Sequence, residues 1–311
     1  MVDDTDALRS RELRGQLAML GFSALVAGSF SLGARIANHI DPVALTAVRF
    51  ALTAVLIGLV AVVAKEMSGN VFRAPWRYAV TGGLFGFYFV AMFEGLKTAT
   101  PVSTAAVFTL TPLLAAGFGW WIMAQKASPR MAVALLLGGI GALWVIFRGD
   151  LAAFLALDIG RGEAIYFVGC IAHALYIPMV QKLGRGEGVF AFVFGTLMVG
   201  AILLMVTGAS RVAATDWFAL PPLVWAGLGY LVIFASFGSI TLLQYALQRL
   251  NAGKVMAYTY LTPSFVIRWE IALTGRLPTG MILPGIVLTV LAVVVLLREG
   301  RSSPAARPSG A

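Results

Sequence analysis

Long apolar runs separated by short polar tracts dominate the 311-residue sequence. A bilayer core about 30 Å thick needs roughly 17–25 mainly apolar residues per helix, and ten runs meet that length. These runs are too long and continuous for the alternating strands of membrane barrels, which have about ten residues each. The pattern predicts an all-α membrane protein with ten transmembrane helices. The predicted spans are Gln16–Ile36, Pro42–Ala64, Trp76–Leu96, Val102–Ala124, Met131–Phe147, Ala164–Leu183, Val189–Val206, Leu223–Leu247, Val255–Thr274 and Met281–Leu297.

The segments between and around the spans are polar or short. Residues 1–14 form a polar N-terminal tail of mixed charge, so the first apolar run is predicted to be a retained span and not a cleaved signal peptide. Residues 149–161 are too short to cross a bilayer and are predicted to connect two halves of the chain. Residues 298–311, rich in Ser, Pro and Ala, are expected to be disordered.

Composition strengthens the membrane prediction. Hydrophobic residues make up 59% of the chain and charged residues 12%, against about 25% charged residues in soluble domains. The net charge of +9 is scattered in short tracts between apolar runs, whereas a nucleic-acid-binding protein gathers basic residues on one face. The predicted partners are therefore the lipid bilayer and a small-molecule substrate, and no nucleic acid.

The distribution of basic residues predicts the orientation. Most of the 23 Lys and Arg residues lie in the two tails and in the alternate loops on the same side as the tails. Cytoplasmic loops carry this excess, so both termini are predicted to be cytoplasmic in an inner (plasma) membrane. The loops predicted to lie outside are at Asp41, Thr100, Gly149–Gly160, Thr215 and Arg276.

The chain contains a weak internal repeat. Leu110-Thr111-Pro112 in the fourth predicted span recurs as Leu261-Thr262-Pro263 in the ninth. At the same offset Ala106 matches Ala257 and Leu96 matches Leu247, and Gly15 corresponds loosely to Gly162. The repeat pairs residues 15–148 with residues 162–297, five spans each. Because five is odd, the second half would enter the membrane from the opposite side, which predicts an inverted-topology repeat.

In these features the chain resembles the drug/metabolite transporter superfamily, in particular its EamA-type bacterial members. The resemblance spans about Gly15 to Leu297 and is carried by Pro42–Phe50, by Gly95–Thr98 and by the two Leu-Thr-Pro motifs. It implies a ten-helix fold around a central cavity, in a family that exports or exchanges amino acids, drugs, sugars, nucleotides or cofactors. Family members often end spans four and nine with Gly-Glu. This chain has Ala124-Gln125 and Gly275-Arg276 there, so no role of those carboxylates carries over.

Polar residues at middling depth predict the binding site. Pro112 and Pro263 are predicted to bend their spans, because proline leaves the carbonyl four residues earlier without its helical partner. A histidine at the membrane midplane suggests a function, either lining the cavity or carrying a coupled proton. Packing between helices is the alternative for each of these residues. The predicted cavity lies between the two bends and is lined by His173, Tyr176, Tyr260, Thr109, Tyr88 and Gln244.

Four intramembrane charges fall in the outer third of the predicted bundle: Arg49, Glu94, Arg268 and Glu270. Glu270 shares a helical stripe with Tyr260, so it is predicted to point inward, while Arg268 points elsewhere. The predicted outer gate is an Arg49–Glu270 interaction with Glu94 nearby. A static ion pair that only stabilises the bundle is the alternative.

The combined prediction is a secondary transporter that moves a small metabolite, such as an amino acid or drug-like compound, by alternating access as an exporter or exchanger. The sequence has no phosphate-binding loop and no His/Cys cluster with metal spacing, so we predict no cofactor, no metal and no enzymatic activity. One alternative is an intramembrane enzyme that uses Arg49, Glu94 and Glu270 on a lipid-linked substrate. The others are a channel and a non-transporting membrane scaffold.

Overall fold

The computed structural model describes residues 2–67, 71, 73–125, 128–147, 150–155, 159–250, 255, 258–275, 280 and 283–299. All regular elements in this part of the chain are helical, which confirms the all-α prediction. Arg276 and most of the predicted disordered tail lie outside the described residues. The helices are α1 Val2–Ile36, α2 Pro42–Val63, α3 Trp76–Gly95, α4 Pro101–Phe108, α5 Thr111–Met123, α6 Pro129–Ile146, α7 Leu151–Leu155, α8 Arg161–Leu183, α9 Val189–Thr207, α10 Ala209–Ala214, α11 Pro222–Val232, α12 Ser239–Leu247, α13 Thr262–Thr274 and α14 Leu283–Glu299.

Local sequence explains where several helices begin. A proline opens α2, α4 and α6, where its missing N–H costs no helical hydrogen bond, and the residue before it caps the helix. The Asp41 carboxylate accepts hydrogen bonds of 2.8 and 3.2 Å from the amides of residues 43 and 44. Thr100 and Ser128 do the same with their hydroxyls.

Among the described residues, six helices are both long and apolar enough to cross a bilayer: Ser10–Ile36, Pro42–Val63, Pro101–Met123, Arg161–Leu183, Val189–Thr207 and Pro222–Leu247. Met131–Ile146 and Leu283–Val295 are shorter apolar helices. One difference from the sequence prediction is at the start, because α1 continues as a helix through most of the predicted tail to Val2.

The two Leu-Thr-Pro motifs lie at helix starts. Pro112 is the second residue of α5, which follows α4 after the turn at Thr109-Leu110. Pro263 is the second residue of α13, after a 3₁₀ turn at Tyr258–Leu261. The predicted bends are therefore breaks at which a new helix begins, where proline is tolerated best. A third irregularity is the π-helical segment Ile233–Gly238, which joins α11 to α12.

The closest helix pairs join the first half of the chain to the second. α2 packs against α9, α3 against α8, α6 against α14, and α1 against α12 and α13. Glycine permits two of these contacts, because a Cβ on Gly95 would lie 2.6 Å from the Gly162 carbonyl oxygen, and one on Gly141 would lie 2.6 Å from the Gly285 carbonyl oxygen. The largest buried cluster accordingly contains residues of both halves.

Contacts between helix ends define two ends of the bundle. We call the end at which the first apolar run starts the proximal end, and the opposite end the distal end. At the proximal end, Arg11 of α1 donates to the Gln248 carbonyl at 3.1 Å, and the Gln125 amide donates to Gln181 at 3.1 Å. At the distal end, the Asn38 amide donates to the Lys97 carbonyl at 3.4 Å. Residues 184–188 belong to the proximal end and residues 37–41 and 96–100 to the distal end.

Candidate functional site

Stacked aromatic rings surround His173 in the middle of α8. The imidazole lies 4.4 Å from the Tyr88 ring and 5.9 Å from each of the rings of Phe85, Tyr176 and Phe108, measured between centroids. Residues three apart on α3 and on α8 share a helix face, so each helix brings two of these rings to the contact. These five residues form the His173 cluster. It unites three of the predicted site residues, His173, Tyr176 and Tyr88.

The polar atoms of the His173 cluster are only partly satisfied. The hydroxyls of Tyr88 and Tyr166 are hydrogen bonded to each other at 2.9 Å. The buried Nδ1 of His173 has no hydrogen-bond partner in the described part of the chain. An unpaired buried polar atom costs about 1–3 kcal/mol, so the site is suited to a ligand or water that supplies the missing partner. Its ring faces can stack against a flat apolar group.

Arg49 of α2 lies beside the cluster and is almost fully buried, with 2% of its surface exposed. Its Nε donates to the Ser236 hydroxyl at 3.0 Å, in the π-helical segment. Its guanidinium carbon lies 3.9 Å from the centroid of Phe89, and the Phe89 ring is 4.7 Å from that of Tyr88. The Nη1 atom of Arg49 has no hydrogen-bond partner in the described structure.

Two other predicted lining residues take different positions. Tyr260 is fully buried in a separate apolar cluster with Ala134, Leu135 and Val293. Its ring occupies the space that a side chain on Gly138 would fill. Gln244 lies on α12, which packs against α1. The structure therefore does not bring Tyr260 into the His173 cluster.

Thr109, the remaining predicted residue, lies directly after Phe108 of the cluster. Its side chain is buried, and its hydroxyl donates to the Ala106 carbonyl at 2.7 Å. The hydroxyl thus satisfies a carbonyl at the end of α4, where the helix is interrupted. This bond uses the hydroxyl hydrogen within its own helix.

The predicted outer gate has a different arrangement in the structure. Glu270 forms an ion pair with Arg35 at 3.1 Å, with 21% and 26% of the two side chains exposed. Arg49 is hydrogen bonded to Ser236 instead, and no ion pair joins it to Glu270 in this structure. Arg35 and Glu270 both lie near the distal ends of their helices, whereas Arg49 lies about 10 Å further along α2 from its distal end.

The other two predicted gate residues also remain apart from Arg49. Glu94 is paired with Lys97 at 2.7 Å, within the same helix end. Arg268 is exposed on α13. The reactive group that an intramembrane enzyme would need, Arg49 with Glu94 and Glu270, is thus not assembled.

A buried ion pair that sequence analysis did not identify lies at the proximal end. Arg77 and Glu187 approach to 2.6 Å, with only 1% and 2% of their side chains exposed. Arg77 also donates to the carbonyls of Leu183 at 2.8 Å and Arg73 at 3.1 Å, and Glu187 accepts from the Arg185 amide at 2.6 Å. Burial opposes ionisation of Glu187. The hydrogen bond and positive charge of Arg77, together with hydrogen bonds from backbone N–H groups, nevertheless hold the pKa of this carboxyl below its usual value.

Two surface cavities lie away from the His173 cluster. An apolar cavity of 420 Å³ runs between α1 and α11, and a more polar one of 500 Å³ lies at the distal end, where His39, Asp41, Arg211 and Asp216 are among its lining residues. The described residues include no group of three or more His, Cys, Asp or Glu side chains placed to hold a metal ion.

Comparison with known proteins adds a family. A family model described as the EamA-like transporter family matches residues 13–147 and again residues 160–298. An uncharacterized transporter, YyaM of Bacillus subtilis (strain 168), is 24% identical over 287 residues, which cover 91% of this chain and 93% of that protein. The aromatic amino acid exporter YddG of Ancylobacter novellus is 30% identical over 133 residues, 42% of this chain and 46% of that protein. A crystal structure with 20% identity superposes with a TM-score of 0.65 over 94% of this chain and 98% of the other, so the two share a fold.

Proposed function

Because the chain belongs to the EamA-like transporter family, we propose that it is a secondary transporter that moves a small organic metabolite across the inner membrane by alternating access, as an exporter or exchanger. The observation that carries this proposal is the His173 cluster. Its stacked rings and unpartnered imidazole nitrogen lie at the contact of α3 in the first half with α8 in the second. Sites between repeats are typical of transporters of this kind.

The proposal includes ten spans in two inverted halves, residues 15–148 and 162–297, joined by residues 149–161. The contacts at the two ends support this arrangement. In α1, the first helix of the first half, Arg11 contacts Gln248 at the proximal end, close to the start of the first apolar run. α8, the first helix of the second half, begins at the distal end, where Gly162 packs against Gly95. The proximal end, with residues 1–14 and 298–311, would face the cytoplasm.

The two helices that begin within the repeated Leu-Thr-Pro motif support the proposed duplication. α5 and α13 each have 13 residues and each begin with Thr-Pro. Each is followed by a residue in the left-handed region, Ala124 with φ 54° and Gly275 with φ 69°. Equal lengths, equal starts and equal terminal conformations are expected of two copies of one ancestral unit.

Alternating access requires that each end of the bundle close in turn, and one ion pair at each end is suited to this task. Arg35–Glu270 joins α1 to α13 at the distal end and replaces the predicted Arg49–Glu270 gate. Arg77–Glu187 joins the start of α3 to the segment after α8 at the proximal end. Both pairs connect the first half of the chain to the second, so opening either end would separate its pair.

The substrate we propose is a metabolite with a flat or apolar body, aromatic amino acids included. The rings of the His173 cluster supply faces for such a body, and a relative over part of the chain is an aromatic amino acid exporter. Proton coupling through His173 remains a prediction, and the unpartnered Nδ1 leaves that ring free to bind substrate or a proton.

Counterflow in proteoliposomes tests the proposed transport. Vesicles loaded with unlabelled tryptophan should accumulate labelled tryptophan transiently, with saturation at high concentration. His173→Ala should reduce this accumulation at least tenfold, because the ring stacks directly against Tyr88. Gly117→Ala, at an exposed position within α5 where a Cβ meets no atom within 4 Å, serves as a folding and reconstitution control. If a panel of aromatic, aliphatic and nucleoside metabolites gave no saturable counterflow, the transport proposal would be wrong.

A further inference from the structure

Arg49, a buried arginine without a carboxylate partner beside an aromatic wall, leads to a second inference, which rests on the proposed transport function. We propose that Arg49 and Thr53 of α2 form an anion subsite that binds the carboxylate of an aromatic or similarly flat substrate. The substrate's apolar body would lie against Phe89, Phe85 and the His173 cluster.

The first observation is the unbalanced charge of Arg49. Its side chain is 2% exposed, and no carboxylate of the described residues forms an ion pair with it. Its partners are a neutral hydroxyl on Ser236 and the face of Phe89, while Nη1 has none. A buried charge is costly unless it is paired and hydrogen bonded. A carboxylate ligand would supply both the charge and the missing acceptor.

The second observation is the hydroxyl of Thr53, one helical turn from Arg49 on the same face. Its Oγ1 is buried and has no hydrogen-bond partner in the described structure. Thr46 on the same helix behaves in the usual way, donating to the carbonyl four residues back at 2.7 Å. Thr53 leaves its hydroxyl free toward the face that carries the guanidinium. Arginine and a neighbouring hydroxyl together match the two oxygens of a carboxylate.

The third observation is the aromatic wall on the same side. The Phe89 ring lies 4.9 Å from Phe85 and 5.8 Å from Phe50, and Phe85 lies 4.8 Å from Tyr176 of the His173 cluster. The rings thus form a continuous apolar surface from the guanidinium to the imidazole. An aromatic carboxylate has the matching distribution, with charge at one end and a flat body at the other.

The hydrogen bond from Arg49 to Ser236 is the contact that a bound carboxylate would replace. Ser236 lies in the π-helical segment Ile233–Gly238, and π-helical turns inside α-helices are frequently found at functional sites. Among the described residues, its hydroxyl is the polar group that accepts a hydrogen bond from the Nε of Arg49. A bound carboxylate would replace this neutral acceptor with a charged one. The alternative is that Arg49 only fastens α2 to the π-helical segment.

Binding measurements with matched ligands separate these roles. We expect the purified full-length protein in detergent to bind tryptophan and indole-3-acetate at least tenfold more tightly than tryptophanamide and indole-3-acetamide, as measured by titration calorimetry. Arg49→Gln should reduce this carboxylate preference to within twofold, and Arg49→Lys should retain part of it. Thr53→Val should weaken carboxylate binding about threefold. Arg249→Gln is the matched control, because Arg249 also lies over an aromatic ring, 3.4 Å from the centroid of Tyr245, in the turn that follows α12.

Several outcomes would overturn the subsite. They are a wild-type protein that binds neither acid, one that shows no preference over the amides, or a folded Arg49→Gln variant that keeps the preference. If Arg49→Gln does not fold, the wild-type preference and the Arg49→Lys and Thr53→Val variants still decide. Carboxylate-selective binding without counterflow would refute transport and leave the subsite standing. Counterflow without carboxylate selectivity would support transport and refute the subsite.

Discussion

The two ends of the bundle are closed in different ways. At the proximal end Arg77 and Glu187 are almost fully buried. Backbone carbonyls accept hydrogen bonds from Arg77, and a backbone amide donates one to Glu187. At the distal end Arg35 and Glu270 each expose a fifth or more of the side chain to the surroundings. Arg35 has one further bond of 2.6 Å, to the Ser31 carbonyl in its own helix.

The difference indicates which end holds the bundle more firmly in this conformation. An ion pair that is screened by solvent contributes about 0–1 kcal/mol, whereas breaking a buried pair by removing one partner costs about 3–5 kcal/mol. Glu66 adds to the proximal closure by accepting the amides of Phe190 and Ala191 at the start of α9. In the proposed mechanism, separating the helices at the distal end would therefore cost less free energy than separating them at the proximal end.

The largest effect that tests this comparison is expected from Glu187→Gln. It should lower the free energy of unfolding by about 3 kcal/mol, at the low end for a buried pair because Arg77 keeps its three backbone carbonyl partners. Glu270→Gln, the matched change at the distal end, should cost less than about 1 kcal/mol. Thermal unfolding in detergent checks both variants. Equal losses would contradict the difference between the ends.

A pH titration should give the next effect. The pKa of Glu187 is held below its usual value, so its stabilisation is fully present above the unfolded-state pKa of about 4.3. It is lost as pH falls below that value through the lowered folded-state pKa. The stability difference between wild type and Glu187→Gln should therefore be constant from pH 7 to about pH 5 and shrink below about pH 4. A difference that stayed constant down to pH 3 would mean that ionised Glu187 does not stabilise the fold.

The distal pair should affect transport more than stability. Arg35→Glu and Glu270→Arg should each reduce counterflow about tenfold, equivalent to about 1.4 kcal/mol, because like charges then face each other across α1 and α13. The double exchange should recover part of the rate. The same exchange of Arg49 with Glu270 should recover nothing, since the structure pairs neither residue with the other. Recovery by the Arg49 exchange alone would instead favour the gate predicted from sequence.

The contacts at the two ends also differ in how well the sequence predicts them. Helix positions followed from apolar runs and from capping signals such as Asp41 before Pro42, which depend on neighbouring residues only. The contact between His173 and Tyr88 is also predictable, because it requires only that both side chains lie at the middle depth of their helices and face the interior. Arg77–Glu187 joins residues 110 positions apart through a loop, and no local pattern indicates such a contact.

The predicted Arg49–Glu270 pair shows the limit of arguments from depth. The prediction pairs Arg49 with Glu270 because both lie in the outer third of their spans. Depth does not determine which helices are neighbours, and α13 packs against α1, which brings Arg35 to Glu270 instead. The same argument from depth places Tyr260 in the predicted cavity. Tyr260 fills the space beside Gly138, and only the packing of α6 against α14 creates that space.

The smallest expected effect concerns the repeat-related residues that end α5 and α13 at opposite ends of the bundle. Ala124 at the proximal end has φ 54°, in the left-handed region, where a side chain costs about 1 kcal/mol, while the distal Gly275 has φ 69° without that cost. Ala124→Gly should therefore raise the free energy of unfolding by about 0.5 kcal/mol, after the greater entropy of glycine in the unfolded chain is subtracted. Gly275→Ala should lower it by a similar amount for backbone reasons alone, because a Cβ there meets no atom within 4 Å. Gly117→Ala, also in open space but within helix α5, should be neutral or stabilising. Matched thermal unfolding of the three variants checks the signs, and a loss of stability in Ala124→Gly would show that the two helix ends are not equivalent.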